Sequence, residues 1–343
     1  MKMIGRLIAV LTMAVFFGAG ASQAQEVTLT LHHFLGPKSP AQAKFLEPWA
    51  KQIEAQSNGR IKIEIYPSMS MGGKPPELYG QVRDGVADIV WTLPGYTPGV
   101  FPRSEVFELP GIASGDAKVT NLAIQDVWPQ IADDFKDVKV LLLFVHDGNA
   151  IHTVDKPVHA PADLKGLKLR TPSRTGAWII ESWGAEPVGM PLPSLPEALS
   201  KKAVDGAMIP FEVVPAIKLQ EMTKYSIEGA DGSRFGTSLF LLAMNKERYD
   251  SLPADLKKII DDNSGANLAA KAGEAWNSFE EPGKKLRKDS GGELIQLTAD
   301  EKMAFDALNQ QVIDRWIAEA DKNGLDGKAL VEAAQAAVKK HAQ

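Results

Sequence analysis

Residues 164–173 read LKGLKLRTPS. Leu167 and Leu169 alternate with Lys168 and Arg170, a period of two that predicts a short strand with one buried face. Thr171-Pro172 ends it, because proline has no N–H to give to a sheet ladder. A permanently charged guanidinium therefore stands at the carboxyl end of a strand. In open α/β sheets that edge is where ligands bind.

Strand and helix patterns alternate on both sides of this stretch. Val27–Leu31 alternates as a strand and runs into the loop His32-His33-Phe34-Leu35-Gly36-Pro37. Ala41 to Gln56 reads as helix, Ile61, Ile63 and Ile65 mark a strand, Glu77 to Asp84 a helix and Ala87 to Trp91 a strand. This is the βαβ signature of a mostly parallel sheet. Leu141–Val145 is apolar throughout, as a strand covered on both faces must be. Ser194-Leu195-Pro196-Glu197 has the spacing of a capping box. Beyond Ser251 the chain turns helical to its end. The segments QVRDGVADIVWT (81–92) and LSKKAVDGAMIP (199–210) echo each other, with Asp88 and Asp205 in the same place. That echo suits two similar lobes, as does a length of 343 residues, beyond one comfortable core. A cleft between two lobes is the expected site.

Composition narrows the function. The net charge of -5 offers no basic excess for phosphates, so nucleic acid is not an expected partner. Cysteine is absent, which removes disulfides, thiolate nucleophiles and Cys-type zinc sites. Lys2 and Arg6, the apolar run LIAVLTMAVFFGAGA and Ser22-Gln23-Ala24 follow the order of a secretory signal peptide over residues 1–24. The run is shorter than the ~20 residues that span a bilayer, so cleavage rather than anchoring is expected.

No Gly-x-Ser-x-Gly, His-Glu-x-x-His, Ser-x-x-Lys or glycine-rich phosphate loop occurs. The histidines lack metal-ligand spacing, so neither a metal nor another cofactor is expected. Glu212 alone is a weak case for a cation. Arg170 is the leading candidate, because its planar fork matches a carboxylate and keeps its charge. The alternative for it is a structural salt bridge.

PADLKGLKLRTPS (161–173), followed by WGAEPVGMPLPSLPEALSKKAVDGA (183–207), resembles the solute-binding proteins of TRAP transporters, the DctP-type extracytoplasmic receptors. NGRIKIEIYPSMSMGGKPPELYGQVRDGVADI (58–89), VFELPG and MNKERYDSLPADLKKII are similar to the same family, so the likeness covers nearly the whole mature chain. The resemblance implies an α/β, two-lobed periplasmic-binding-protein fold with a hinge and a mainly helical C-terminal part. The first lobe would take 25–149 plus about 236–280, and the second 150–235 plus about 281–343 with the C-terminal helices. It implies a periplasmic receptor that performs no chemistry, works as a monomer and delivers a small organic acid to integral-membrane TRAP permease subunits. The gripping arginine matches Arg170. The further arginine of sialic-acid-binding members falls on Ala150, and the polar D-G-x-E-N pattern becomes Asp205-Gly206-Ala207-Met208-Ile209.

These departures favour an aromatic or branched-chain monocarboxylate over a sugar acid or dicarboxylate. An exported hydrolase or isomerase is the alternative from another class. Met190, Met208 and Phe211 are expected beside Arg170, and His33, Phe34, Trp91 and Tyr96 on the facing lobe. Phe235 and Phe240 are expected at the hinge. Secreted protein should begin at or near Gln25, read by N-terminal sequencing. Full-length protein stably embedded in the membrane would make the segment an anchor.

Overall fold

The computed structural model describes residues 26–343, and the export segment read over 1–24 lies outside them. The strands are β1 Val27–His33, β2 Ile61–Tyr66, β3 Ile89–Thr92, β4 Val138–Val145, β5 Ala150–Thr153, β6 Lys168–Thr171, β7 Glu186–Gly189, β8 Gly206–Ile209, β9 Tyr225–Glu228, β10 Leu239–Asn245 and β11 Glu293–Gln296. They form two sheets, ordered β2-β1-β3-β10-β4 and β11-β9-β5-β8-β6-β7. β1 runs parallel to β2 and β3, and β6 parallel to β7 and β8. One strand in each sheet is reversed against both neighbours: β10 between β3 and β4, and β5 between β8 and β9. The two-lobed α/β architecture expected from the sequence is present.

Local sequence explains the elements. Leu29, Leu31, Ile89 and Val90 are buried, as are all of Leu141 to Val145, so hydrophobic burial drives the first sheet. The echo between the lobes has a physical basis. Asp88 Oδ2 accepts the Thr30 N–H at 2.8 Å, and Asp205 Oδ2 accepts the Lys168 N–H at 2.8 Å. Each aspartate thus holds the start of one strand against its neighbour. Ser194 departs from expectation. A short helical turn, Leu192–Ser194, precedes it and leaves it with helical φ/ψ, so its hydroxyl caps nothing. Capping needs extended backbone at that position.

Three connections run between the two sheets. Residues 146–149 join β4 to β5, residues 229–238 join β9 to β10, and the helix Ala266–Asp289 spans both lobes. The first two crossings pair with each other: Asn149 N–H donates to Gly236 O at 2.8 Å, and Phe235 N–H to Asn149 O at 2.9 Å. Gly148 makes this approach possible. Its φ is +135°, and a Cβ there would lie 2.4 Å from Arg234 Cβ.

A buried charge cluster ties the crossings together. Arg234 donates to Glu228 Oε2 and Glu280 Oε2, both at 2.9 Å, and Nη2 lies 3.8 Å from Asp147. The C-terminal helices are shared between the lobes. Asn309–Lys322 packs on Arg174–Ser182 in the second lobe, whereas Gly327–His341 packs on Ala117–Ile131 in the first. There Lys340 and His341 both bond Asp126. The last helix, grouped with the second lobe in the sequence reading, buries Leu330, Val331, Ala334 and Val338 and packs on Asn309–Lys322 as well as on Ala117–Ile131.

Candidate functional site

The carboxyl ends of both sets of parallel strands face one cavity. From the first lobe come Phe34 and Leu35 after β1, Trp91 in β3, and Leu93 and Tyr96 beyond it. From the second come Arg170 in β6, Pro172, Leu192, and the run Ile209, Pro210, Glu212 and Val213 after β8. The crossings add His146, Asn149, Ser238 and Phe240. The walls are mainly aromatic and aliphatic. Phe34 stacks on Trp91 with ring centroids 5.1 Å apart and 12° between planes, and Tyr96 meets Phe34 edge-on at 5.5 Å.

Arg170 is 3% exposed. Its Nε donates to Met190 O at 2.9 Å, while Nη2 has no hydrogen-bond partner. Burial lowers its pKa, and the Tyr96 phenol beside it pulls the other way. Arg170 forms no salt bridge among the described residues, against the structural alternative weighed from sequence. Two more buried donors around the cavity lack partners, Trp91 Nε1 and Asn149 Nδ2. Buried donors are ordinarily satisfied, so three orphans around one cavity describe a place for an acceptor.

The other polar groups carry little charge. Burial drives the His146 imidazole down to about 3, with Arg234 adding to the effect. Burial, with Glu280 second, pushes Glu212 well above the usual carboxyl range, and its Oε2 is unpartnered. Among the described residues no group of three or more acidic or histidine side chains is placed to hold a metal ion.

The expected site residues divide. Arg170, Phe34, Trp91 and Tyr96 line the cavity, as does Phe240. His33 does not. Its Nε2 bonds Gln42 Oε1 at 2.9 Å and its ring props Trp91 edge-on, because alternation along β1 turns it away from Phe34. Met190 contributes its carbonyl to Arg170 rather than its side chain to the cavity. Met208 is buried within β8, and Phe211 is buried against His152 and under Arg234. Phe235 sits on the far side of its crossing, packed with Trp183 and Phe305. Asn149 was not singled out from sequence, Glu212 was weighed only as a cation ligand, and His146 only as a poor metal ligand. The polar turn HDGN between two apolar strands was the available signal.

Several bonds join the lobes across the cavity mouth. Leu192 N–H donates to the Tyr96 hydroxyl at 3.1 Å. Arg174 grips Glu105 through Nε at 2.8 and 2.9 Å and Nη2 at 2.6 Å. Thr175 Oγ1 donates to Glu108 Oε2 at 2.5 Å, and within the first lobe Leu239 N–H fixes the other oxygen, Glu108 Oε1, at 2.9 Å. Gly95 presses against Ser173, where a Cβ would meet Ser173 Cβ at 2.6 Å. The lobes are closed on each other.

The model of the bacterial extracellular solute-binding protein family 7, DctP, matches residues 31–320. The chain belongs to that family. A solved TRAP solute-binding protein from a marine metagenome, described as specific for aromatic acid ligands and holding 3-hydroxybenzoate, is 43% identical. It covers 93% of this chain and 100% of its own, with a TM-score of 0.91. A TRAP solute-binding protein from Rhodoferax ferrireducens, solved with copurified benzoate, is 41% identical over 92% of this chain and 98% of its own, TM-score 0.90. The C4-dicarboxylate-binding periplasmic protein DctP of Rhodobacter capsulatus is 25% identical over 98% of each chain. This solute-binding protein thus shares its family with receptors for quite different acids.

The closure contact at Glu108 has a pH signature. Burial raises its carboxyl to about 7, so between the ordinary carboxyl pKa and about 7 the folded protein holds a proton that the unfolded chain has lost. Stability from this group therefore falls as pH rises through that window. The Glu108→Gln variant can still bond both Thr175 and Leu239 and has no proton to lose. Its Tm relative to wild type should rise steadily from pH 5 to pH 8 and then level. A difference constant across that range would show Glu108 ionised throughout.

Proposed function

We propose that the protein captures an aromatic monocarboxylate in the periplasm and delivers it unchanged to the membrane subunits of a TRAP-type transporter, acting as a monomer. The observation that carries this reading is the unpaired Arg170 Nη2, buried with the orphaned donors of Asn149 and Trp91 around an aromatic-walled cavity. A carboxylate would accept charge-assisted hydrogen bonds from Arg170, whose Nη2 finds no acceptor in the protein. Phe34, Trp91 and Phe240 offer flat apolar surface to a ring. Relatives above 40% identity, one with 3-hydroxybenzoate and one with benzoate, support the same class of ligand.

Receptor rather than enzyme is supported by the family and by the state of His146. Its ring nitrogens lie 3.0 Å from the Gly148 N and 3.1 Å from the Ser238 N, of which a neutral ring accepts one N–H. The hydroxyl beside Nδ1, Thr237 Oγ1 at 3.5 Å, donates to the His146 carbonyl and does not line the cavity.

Calorimetric titration with benzoate should give one site per chain in wild type. Arg170→Ala should lose about 2–5 kcal/mol of binding, roughly thirty-fold to several-thousand-fold in affinity. Arg170→Lys should bind poorly as well, having kept the charge and lost the fork. Thermal unfolding of both variants should stay cooperative. Near-native affinity in Arg170→Ala, or steady conversion of the ligand by wild type, would remove this reading.

A further inference from the structure

Glu212 poses a question that the carboxylate end of the ligand does not answer. It lies just beyond the carboxyl end of β8, is 5% exposed and lines the cavity. The cations nearest in the fold are committed elsewhere: Arg234 to Glu228 and Glu280, and Lys284 to Glu228. Glu212 makes no salt bridge among the described residues, and its Oε2 has no hydrogen-bond partner; the Trp276 indole beside it likewise has an unpartnered N–H. We propose that Glu212 sets specificity within the ligand class assigned above, selecting aromatic acids whose ring carries a hydroxyl and rejecting those with a second carboxylate. This rests on the aromatic-monocarboxylate reading and adds a residue and a substituent to it.

Donor and acceptor capacities match between such a ring and this side chain. Burial, with the neighbouring Glu280 second, pushes the Glu212 carboxyl well above its usual range and favours the protonated form, which offers one O–H donor and open acceptor positions. A ring hydroxyl offers the same pair and satisfies it. An unsubstituted ring places C–H groups against the carboxyl and leaves a buried polar group unpaired, which costs more than the bond itself is worth. Sites built to hydrogen-bond a hydroxyl discriminate strongly against the analogue lacking it. A second ligand carboxylate would instead set a new negative charge beside Glu212 and Glu280, with no cation free to meet it.

The test is calorimetric titration of wild type, Glu212→Gln and Glu212→Met with benzoate, the three monohydroxybenzoates and the three benzenedicarboxylates. Wild type should bind at least one hydroxybenzoate about tenfold or more tighter than benzoate. Glu212→Gln, which still donates and accepts, should keep most of that ratio. In Glu212→Met the ratio should fall to about threefold or less, whereas a merely structural role would lower all affinities together. Dicarboxylates should bind wild type more weakly than benzoate. If Glu212→Met does not fold, the methyl ether of the preferred hydroxybenzoate on wild type decides, and it should lose the advantage. A preference that survives in Glu212→Met, a methyl ether that keeps it, or no preference in wild type would overturn the proposal while leaving Arg170-dependent benzoate binding intact. Failure of wild type to bind any of these acids would overturn the aromatic reading itself.

Discussion

The Arg234 guanidinium, taken out of water, requires its three carboxylates to stay where they are. Asp147 comes from the first crossing, Glu228 from the end of β9 and Glu280 from the long helix. Arg234 itself lies on the second crossing, and Lys284 adds a further ammonium at 2.8 Å from Glu228. Removing one partner of such a cluster leaves an uncompensated buried charge, so each crossing is held by all the others. The cavity inherits this constraint. Asn149 is itself one of the paired residues, Ser238 closely follows Gly236, and Glu212 belongs to the turn whose Phe211 ring lies under Arg234. The polar positions around a ligand are thus set by a charge cluster that no ligand needs to touch.

Arg170 is the opposite case built from the same side chain. It is buried to a similar degree but meets one carbonyl and a phenol, with no carboxylate. Burying a cation with so little compensation is costly, and only a few such sites are tolerated in a fold. On the reading proposed above, the ligand carboxylate supplies the missing partner as the lobes close. Binding and closure are then one free-energy event, which is how hinged receptors convert a local ion pair into a change of shape. A third buried arginine, Arg287, completes the contrast. It donates to Ser226 Oγ at 2.7 Å and to the Thr223 carbonyl, with burial lowering its pKa to about 10. Full hydrogen bonding without a counter-ion suffices there, because nothing has to bind.

Much of this was legible in the sequence where one physical rule acted alone. Alternation plus proline located Arg170 at a strand end, and the repeated aspartate marked strand starts that prove to be clamped alike. Legibility failed where two rules competed. All four residues of β8 are buried, because both faces of a central strand are covered, so no alternation told Met208 from a cavity residue. His33 and Phe34 are adjacent, and only the sheet register decides which of them faces the ligand space. Phe235 and Phe240 flank one crossing but emerge on opposite sides of it. Asn149 and Glu212 come together only through the pairing of β5 with β8, a long-range contact that spacing along the chain does not encode.

Charge counting in the cavity carries the chemistry one step further. Of its titratable lining groups, burial raises the Tyr96 phenol and the Glu212 carboxyl and lowers the His146 imidazole to about 3, each shift favouring the neutral form. With those three neutral, Arg170 holds the full charge among them. A monocarboxylate therefore brings the closed cavity to neutrality, whereas a doubly charged acid leaves one uncompensated anion in a medium where Coulomb energies are several times their value in water. The family holds receptors for dicarboxylates and for aromatic acids on one fold. On the reading proposed above, Arg170 among groups that favour their neutral forms is what makes this cavity select an acid with a single charge. The aromatic walls then favour a flat ring, and the hydrogen-bonding capacity left over at Glu212 falls to whatever the ring carries.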